Sequence, residues 1–264
     1  MKRFGIYIVS ALLALFAFVI FASFANAQEP PNAPATLTDE QFIESVYTST
    51  ALLYSQNSQG SMEMRCTATV IEKTETGYLL VTAAHCVSRD NEQNHRAEPE
   101  RGFWFISFDN PGSKDFLAAK LVAVGYQHRG DDFALLSIDT DIKVPVVAIG
   151  EDAASHEGEA VLNVASPLGL GKQVFKGHVS SPKLDRPVDA NDIHWTGAML
   201  IAIVGVNGGS SGSAIICMKQ RAICGNLVGT IGGSSTVAIP VSKLKKFIGL
   251  VKAGTYRWYE AAED

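Results

Sequence analysis

Short apolar runs, each closed off by turn-forming residues, recur along most of this chain, and that rhythm restricts the fold more than any other feature. A first series comprises Thr50–Tyr54, Cys66–Ile71, Tyr78–Thr82, Phe103–Phe108, Ala119–Val124 and Ala134–Ile138. Segments such as Thr74-Glu75-Thr76-Gly77 and Asp109-Asn110-Pro111-Gly112 separate them. After a link at 140–145 comes a second series: Val146–Ile149, Ala160–Val164, Gln173–Ser180, Ala198–Val204, Ser213–Cys217, Asn226–Ile231 and Val237–Ile239. Runs this short, rich in Val, Ile and Thr, suit strands, and their regular spacing indicates sandwiches or barrels. The fold class read here is therefore all-β, in two units of about 100 residues each. The units are assigned to residues 38–145 and 146–250, with a tail over 251–264.

Two helices should flank the strands. Thr38 precedes Asp39, Glu40 and Gln41, a hydroxyl at the cap with Gln three residues later. That capping box predicts a short helix over Asp39–Val46. Pro240 ends the last strand, and Leu244, Phe247, Ile248 and Val251 share one face of a helix over Val241–Val251.

The first 27 residues are read separately. Lys2 and Arg3 precede an apolar run from Gly5 to Phe24, and Ala25-Asn26-Ala27 has the small-x-small form of a signal-peptidase site. This predicts a secretory leader removed after Ala27, followed by a Pro-rich tether over 28–37. The run is nearly long enough to span a bilayer, so a retained N-terminal membrane anchor is the alternative. Either way the remainder is expected to be extracytoplasmic, secreted or periplasmic.

Composition excludes several function classes. The 264 residues are 47% apolar and 19% charged, which is globular rather than disordered. The formal charge is −5 and no long basic run occurs, which argues against nucleic acid as a partner. The cysteines Cys66, Cys86, Cys217 and Cys224 all follow the leader, an even count that suggests two disulfides. No C-x-x-C spacing and no HExxH motif occurs, so neither a metal nor a cofactor is expected. Gly169–Gly171 with Lys172 reads as a turn rather than a phosphate loop.

Three segments carry chemistry, in this order: Thr82-Ala83-Ala84-His85-Cys86, then Asp131-Asp132-Phe133-Ala134-Leu135-Leu136, then Asn207-Gly208-Gly209-Ser210-Ser211-Gly212-Ser213-Ala214. A serine hydroxyl becomes a strong nucleophile only when a base takes its proton. Histidine suits that task because its pKa lies near neutral pH. A buried carboxylate can fix the imidazole tautomer, and glycines let a turn present backbone N–H donors to an oxyanion. Asp132 opens an apolar strand and should point inward, whereas Asp131 should be solvated. Gly208 to Gly212 formally matches G-x-S-x-G around Ser210, but such hydrolases place their histidine after the serine. The last histidine here is His194, so that match is accidental. His95, His128, His156, His178 and His194 have no comparable context and read as surface or structural residues.

Thr82–Cys86 and the glycine-flanked Ser211 resemble the trypsin/chymotrypsin-like serine peptidases. Ala165-Ser166-Pro167-Leu168-Gly169-Leu170, Gly177-His178-Val179-Ser180, Leu227-Val228-Gly229-Thr230 and Ala238-Ile239-Pro240-Val241 look closest to the bacterial HtrA-type branch. The resemblance covers roughly residues 40 to 250 and implies two antiparallel six-stranded β-barrels with the site between them. It implies His85 as general base, Asp132 as its orienting carboxylate and Ser211 as nucleophile. The N–H groups of Gly209 and Ser211 would form the oxyanion hole. Gly232, Gly233 and Ser234 would edge the cleft, where an extended peptide pairs as an added strand. Gly205 would lie at the base of the primary pocket with Ile231 and Thr236 nearby. No carboxylate is evident there, so a small or medium apolar residue is expected before the scissile bond.

The family bridges the positions of Cys66 and Cys86. A second bridge between Cys217 and Cys224 departs from the common trypsin pattern and follows from their proximity in sequence. No Ile-Val-Gly-Gly start follows a basic cleavage site, so activation by a liberated N-terminus is not expected. Only 13 residues follow Val251, so no PDZ domain is expected either. The expected partner is a protein or peptide substrate. The alternative is a binding protein of the same fold with an inert site.

Overall fold

The computed structural model describes residues 37–91, 96–100, 102–109, 115–127, 130–151, 156–185, 188–190, 193–195, 197–231 and 235–256. The leader, residues 28–36 of the tether, the turn at 110–112, Gly232, Gly233, Ser234 and the tail beyond 256 lie outside them, as do His95 and His128.

Helix α1 (Asp39–Ser49) runs directly into β1 (Thr50–Gln56). Then come β2 (Met62–Lys73), β3 (Gly77–Thr82), β4 (Ser88–Asn91), β5 (Arg96–Pro99), β6 (Trp104–Ser107), β7 (Leu117–Val124) and β8 (Ala134–Asp139). Six of them close a barrel in the order β1-β2-β3-β8-β7-β6. The second half holds β9 (Ala160–Ala165), β10 (Gln173–Ser181), β11 (Val188–Ala190), β12 (Ile193–Trp195), β13 (Met199–Ala202), β14 (Ala214–Cys217), β15 (Ala222–Ile231), β16 (Ser235–Pro240) and helix α2 (Val241–Lys252). Its barrel closes as β10-β13-β16-β15-β14-β9, and every pair in both barrels is antiparallel.

Closure follows from the side-chain pattern. One core fills the second barrel, with Val161, Val179, Met199, Ile201, Ile215 and Leu227 buried together. The other joins the first barrel to the outer face of the second and to both helices, and it includes Leu53, Leu80, Leu136, Ile216, Val228 and Phe247. Strands β14 and β15 therefore bury both faces. Ile215 points into one core and Ile216 into the other, so Ala214–Cys217 reads as an unbroken apolar run rather than an alternating one.

Two details differ from the sequence pattern. Val146–Ile149 forms no strand, only a single bridge from Ile149 to Ile223. This link serves both barrels: Val147 N–H donates to Val70 C=O at 3.1 Å, and Ile223 N–H donates to Ala148 C=O at 2.8 Å. A segment divided in that way cannot build a ladder with either barrel. The hairpins β4–β5 and β11–β12 were not signalled by apolar runs, because their strands are only three or four residues long and those of β4–β5 are largely polar.

Candidate active site

The pairing of Thr82 with Ala134 aligns the end of β3 with the start of β8. His85 lies three residues beyond the first of these, in a single 3₁₀ turn (Ala84–Cys86), and Asp132 two residues before the second. The two therefore meet. Asp132 Oδ1 accepts the His85 backbone N–H at 3.0 Å, and Oδ2 lies 2.8 Å from His85 Nδ1. Asp132 is wholly buried, and the fully buried ring of Phe133 holds the strand start in place. Asp131 is half-buried, and its carboxylate acts on Lys243 of α2. Burial works against a charged His85, but the charge of Asp132 and their hydrogen bond outweigh it, so the imidazole pKa is raised.

The serine-bearing loop is held by backbone bonds. Ser210 N–H donates to Asn207 C=O at 2.9 Å, and Gly212 N–H donates to Leu227 C=O of β15 at 2.7 Å. Gly209 and Gly212 have φ of +93° and +82°, a region that side chains disfavour. Ser210 is fully buried, whereas Ser211 is half-buried. Among the described residues, the Ser211 hydroxyl makes no hydrogen bond, and neither Gly209 N–H nor Ser211 N–H donates one. Leu168 N–H donates to Gly208 C=O at 2.6 Å. The carbonyl and N–H of a trans peptide point in opposite directions, so this bond turns Gly209 N–H away from Leu168.

Three residues to which the sequence reading assigned no role support the site. Thr67 is fully buried and uses every polar group: its N–H donates to Ser211 C=O, its hydroxyl donates to Gly209 C=O and accepts from Ser166 N–H, and its C=O accepts from Thr82 Oγ1. Leu168 sits at φ +55°, a strained value for a branched side chain. Trp195 donates its indole N–H to Asp132 Oδ2 at 3.3 Å. The Asn191-Asp192 pair between Val188–Ala190 and Ile193–Trp195 lacks the glycine of the pairs that signal a tight hairpin, so the segment carried no turn signal. Nothing in the sequence marks the polar role of Thr67.

Lys172 anchors the neighbouring loop. Its Nζ donates to the carbonyls of Tyr47, Thr50 and Phe108 and lies 4.4 Å from the Tyr47 ring centroid. Burial lowers its pKa against the opposing pull of Asp109 and Glu44.

The expected pocket residues differ in exposure, and Ile231 pairs with Ser235, next to Thr236. Gly205 is exposed beside the Phe175 ring, Ile231 is exposed, and Thr236 is buried with no partner for its hydroxyl. Both disulfides form, Cys66–Cys86 and Cys217–Cys224. Cys66, His85 and Cys86 come within 4.8 Å of one another, but both thiols are consumed by the bridge, which leaves one ligand where a metal needs several.

Residues 66–229 match the family model described as Trypsin-like peptidase domain, a span that contains His85, Asp132 and Ser211. The chain belongs to this family. It is 28% identical over 173 residues to "Serine protease HTRA1A" of Danio rerio, covering 64% of this chain and 32% of the relative. It is 26% identical over 171 residues to "Serine protease HTRA3" of Rattus norvegicus, covering 64% of this chain and 34% of that protein. It is 30% identical over 108 residues to "Probable periplasmic serine endoprotease DegP-like" of Rickettsia conorii, covering 40% and 20% respectively. The chain thus spans about a third or less of the length of these relatives.

Proposed function

We propose that the chain is an exported serine endopeptidase in which His85, Asp132 and Ser211 form the catalytic triad. Ser211 Oγ attacks the scissile carbonyl carbon while His85 Nε2 takes its proton. Negative charge gathers on the substrate oxygen, and the N–H groups of Gly209 and Ser211, which donate to none of the described residues, are suited to receive it. His85 then gives the proton to the departing amine, leaving an acyl ester on Ser211. Water, activated by the same imidazole, cleaves that ester.

The observation that carries this reading is the buried Asp132 held against His85 Nδ1 at 2.8 Å. It leaves the other imidazole nitrogen for chemistry. A fluorophosphonate probe is expected to label the folded protein at Ser211 alone, and Ser211→Ala should abolish labelling with the fold retained. Absence of labelling in well-folded protein would instead indicate an inert binding protein.

Export rests on the leader sequence, in keeping with a relative named as periplasmic. Protein taken from its native host should begin at Gln28. A start at Met1 would mean a retained anchor. The specificity proposed is a small or medium apolar residue before the scissile bond, since no carboxylate lies among Gly205, Ile231 and Thr236. A peptide-library profile dominated by Lys, Arg or Glu would overturn it.

A further inference from the structure

We propose that Trp195 is the positioning residue for the Asp132 carboxylate, fixing the base relative to the nucleophile; this rests on the triad reading above. Among the described residues three donors reach that buried carboxylate: the His85 backbone N–H at 3.0 Å, His85 Nδ1 at 2.8 Å and the Trp195 indole N–H at 3.3 Å. Two of these belong to His85 and move with it. Only Trp195 refers the carboxylate to a part of the protein independent of the histidine.

The indole is itself held. Trp195 is 2% exposed and ends the β11–β12 hairpin, an insertion between β10 and β13 of the second barrel. Its six-membered ring lies over Gly229 of β15. A Cβ at Gly229 would come within 2.9 Å of Trp195 Cη2 and 3.3 Å of Cζ3, so only glycine leaves room for the ring. The same strand holds the serine loop, through Gly212 N–H to Leu227 C=O at 2.7 Å and Leu227 N–H to Ser213 C=O at 2.9 Å. One strand thus supports Ser211 through Leu227 and, two residues on, the indole that holds Asp132. Trp195 spans from the strand behind the nucleophile to the carboxylate behind the base. The neighbouring Asp131 is engaged instead with Lys243, a residue also influenced by Lys183 and Lys246.

Trp195→Phe keeps a ring in the slot and removes the N–H. A hydrogen bond to a charged group justifies an expected loss of about tenfold or more in kcat/KM. The loss should fall on kcat with KM unchanged. Oδ2, relieved of the indole, is then shared with His85 alone, so the acid limb of the pH profile should move to higher pH. A residue that only filled space would lower thermal stability without moving that limb.

Nuclear magnetic resonance gives a readout independent of turnover. The His85 imidazole should titrate at higher pH in Trp195→Phe than in the wild type. In the wild-type protein the Trp195 indole proton, assigned through its proximity to Gly229, should titrate with the same midpoint as His85. A folded Trp195→Phe protein with unchanged kcat and unchanged His85 midpoint overturns the proposal. If Trp195→Phe does not fold, an indole proton in the wild type that ignores the His85 titration overturns it equally. Failure of the triad reading is distinct: it appears as wild-type protein that no fluorophosphonate labels, while the two titrations still report on Trp195.

Discussion

Thr67 N–H donates to the carbonyl of Ser211 at 2.9 Å, so a strand of the first barrel directly holds the serine of the second. Its hydroxyl adds a 2.8 Å bond to Gly209 C=O and accepts from Ser166 N–H. Thr67→Val preserves the branched shape and removes the partner of the half-buried Gly209 C=O and of the buried Ser166 N–H. The expected cost is about 1–3 kcal/mol of stability. Because Gly209 lies in the Ser211 turn and Ser166 packs beside it, kcat should fall while Thr67→Ser stays near wild type. Urea denaturation and steady-state kinetics on the two variants check this.

The disulfide Cys66–Cys86 closes a loop of 20 residues that ends beside His85, and Cys217–Cys224 closes one of 7. In the chain-entropy account these contribute about 3 and about 2 kcal/mol. The larger effect on activity should also come from the first, because Cys66 adjoins Thr67 and Cys86 adjoins His85. Paired Cys→Ala variants, compared by thermal melting and probe labelling, should rank in that order. Equal losses of labelling would mean the first bridge has no special part in holding the site.

Much of this architecture was legible in the chain. The short apolar runs correspond to barrel strands because each of those strands buries at least one face, which leaves a pattern in the residue types. Val146–Ile149 carried the same pattern yet is a divided link, since apolar character reports burial and not which barrel supplies the partner. The hairpins β4–β5 and β11–β12 were silent because strands of three or four residues are too short to show a pattern. At the site, Ser211, His85 and Asp132 stand in segments with recognisable residue types. Thr67 and Trp195 act through hydrogen bonds to residues distant in the chain, and no local spacing encodes those.

Gly212 combines φ +82° with close quarters. A Cβ there would approach Thr67 C=O oxygen to 2.5 Å and Ala83 N to 2.6 Å, and both are backbone atoms that cannot swing aside. Gly212→Ala should therefore destabilise by more than about 2 kcal/mol, through strain as well as crowding. Gly208, with nothing within 4 Å of the equivalent position, is the control. Gly208→Ala should leave the melting temperature within a few degrees of wild type. A Gly212→Ala protein as stable as Gly208→Ala would mean the serine loop is not clamped against β2 and β3 as described.

The raised pKa of His85 sets activity and stability in opposition. The folded chain binds this proton more tightly than the unfolded chain, whose value is about 6.5. The stabilisation from the His85–Asp132 pair is therefore fully present below 6.5 and is lost as pH rises through the higher folded value. A general base must be neutral, so turnover should appear in the window where that stabilisation fades. The acid limb of kcat/KM is expected above 6.5, and the melting temperature of Ser211→Ala protein should decline across the same range. Asp132→Asn removes the charge that raises the imidazole pKa. It should lower kcat roughly ten thousandfold, move the limb below its wild-type position and flatten this part of the stability profile. A wild-type limb at or below 6.5 would mean that the desolvation of His85 outweighs its carboxylate, and the order of the two effects would have to be reversed.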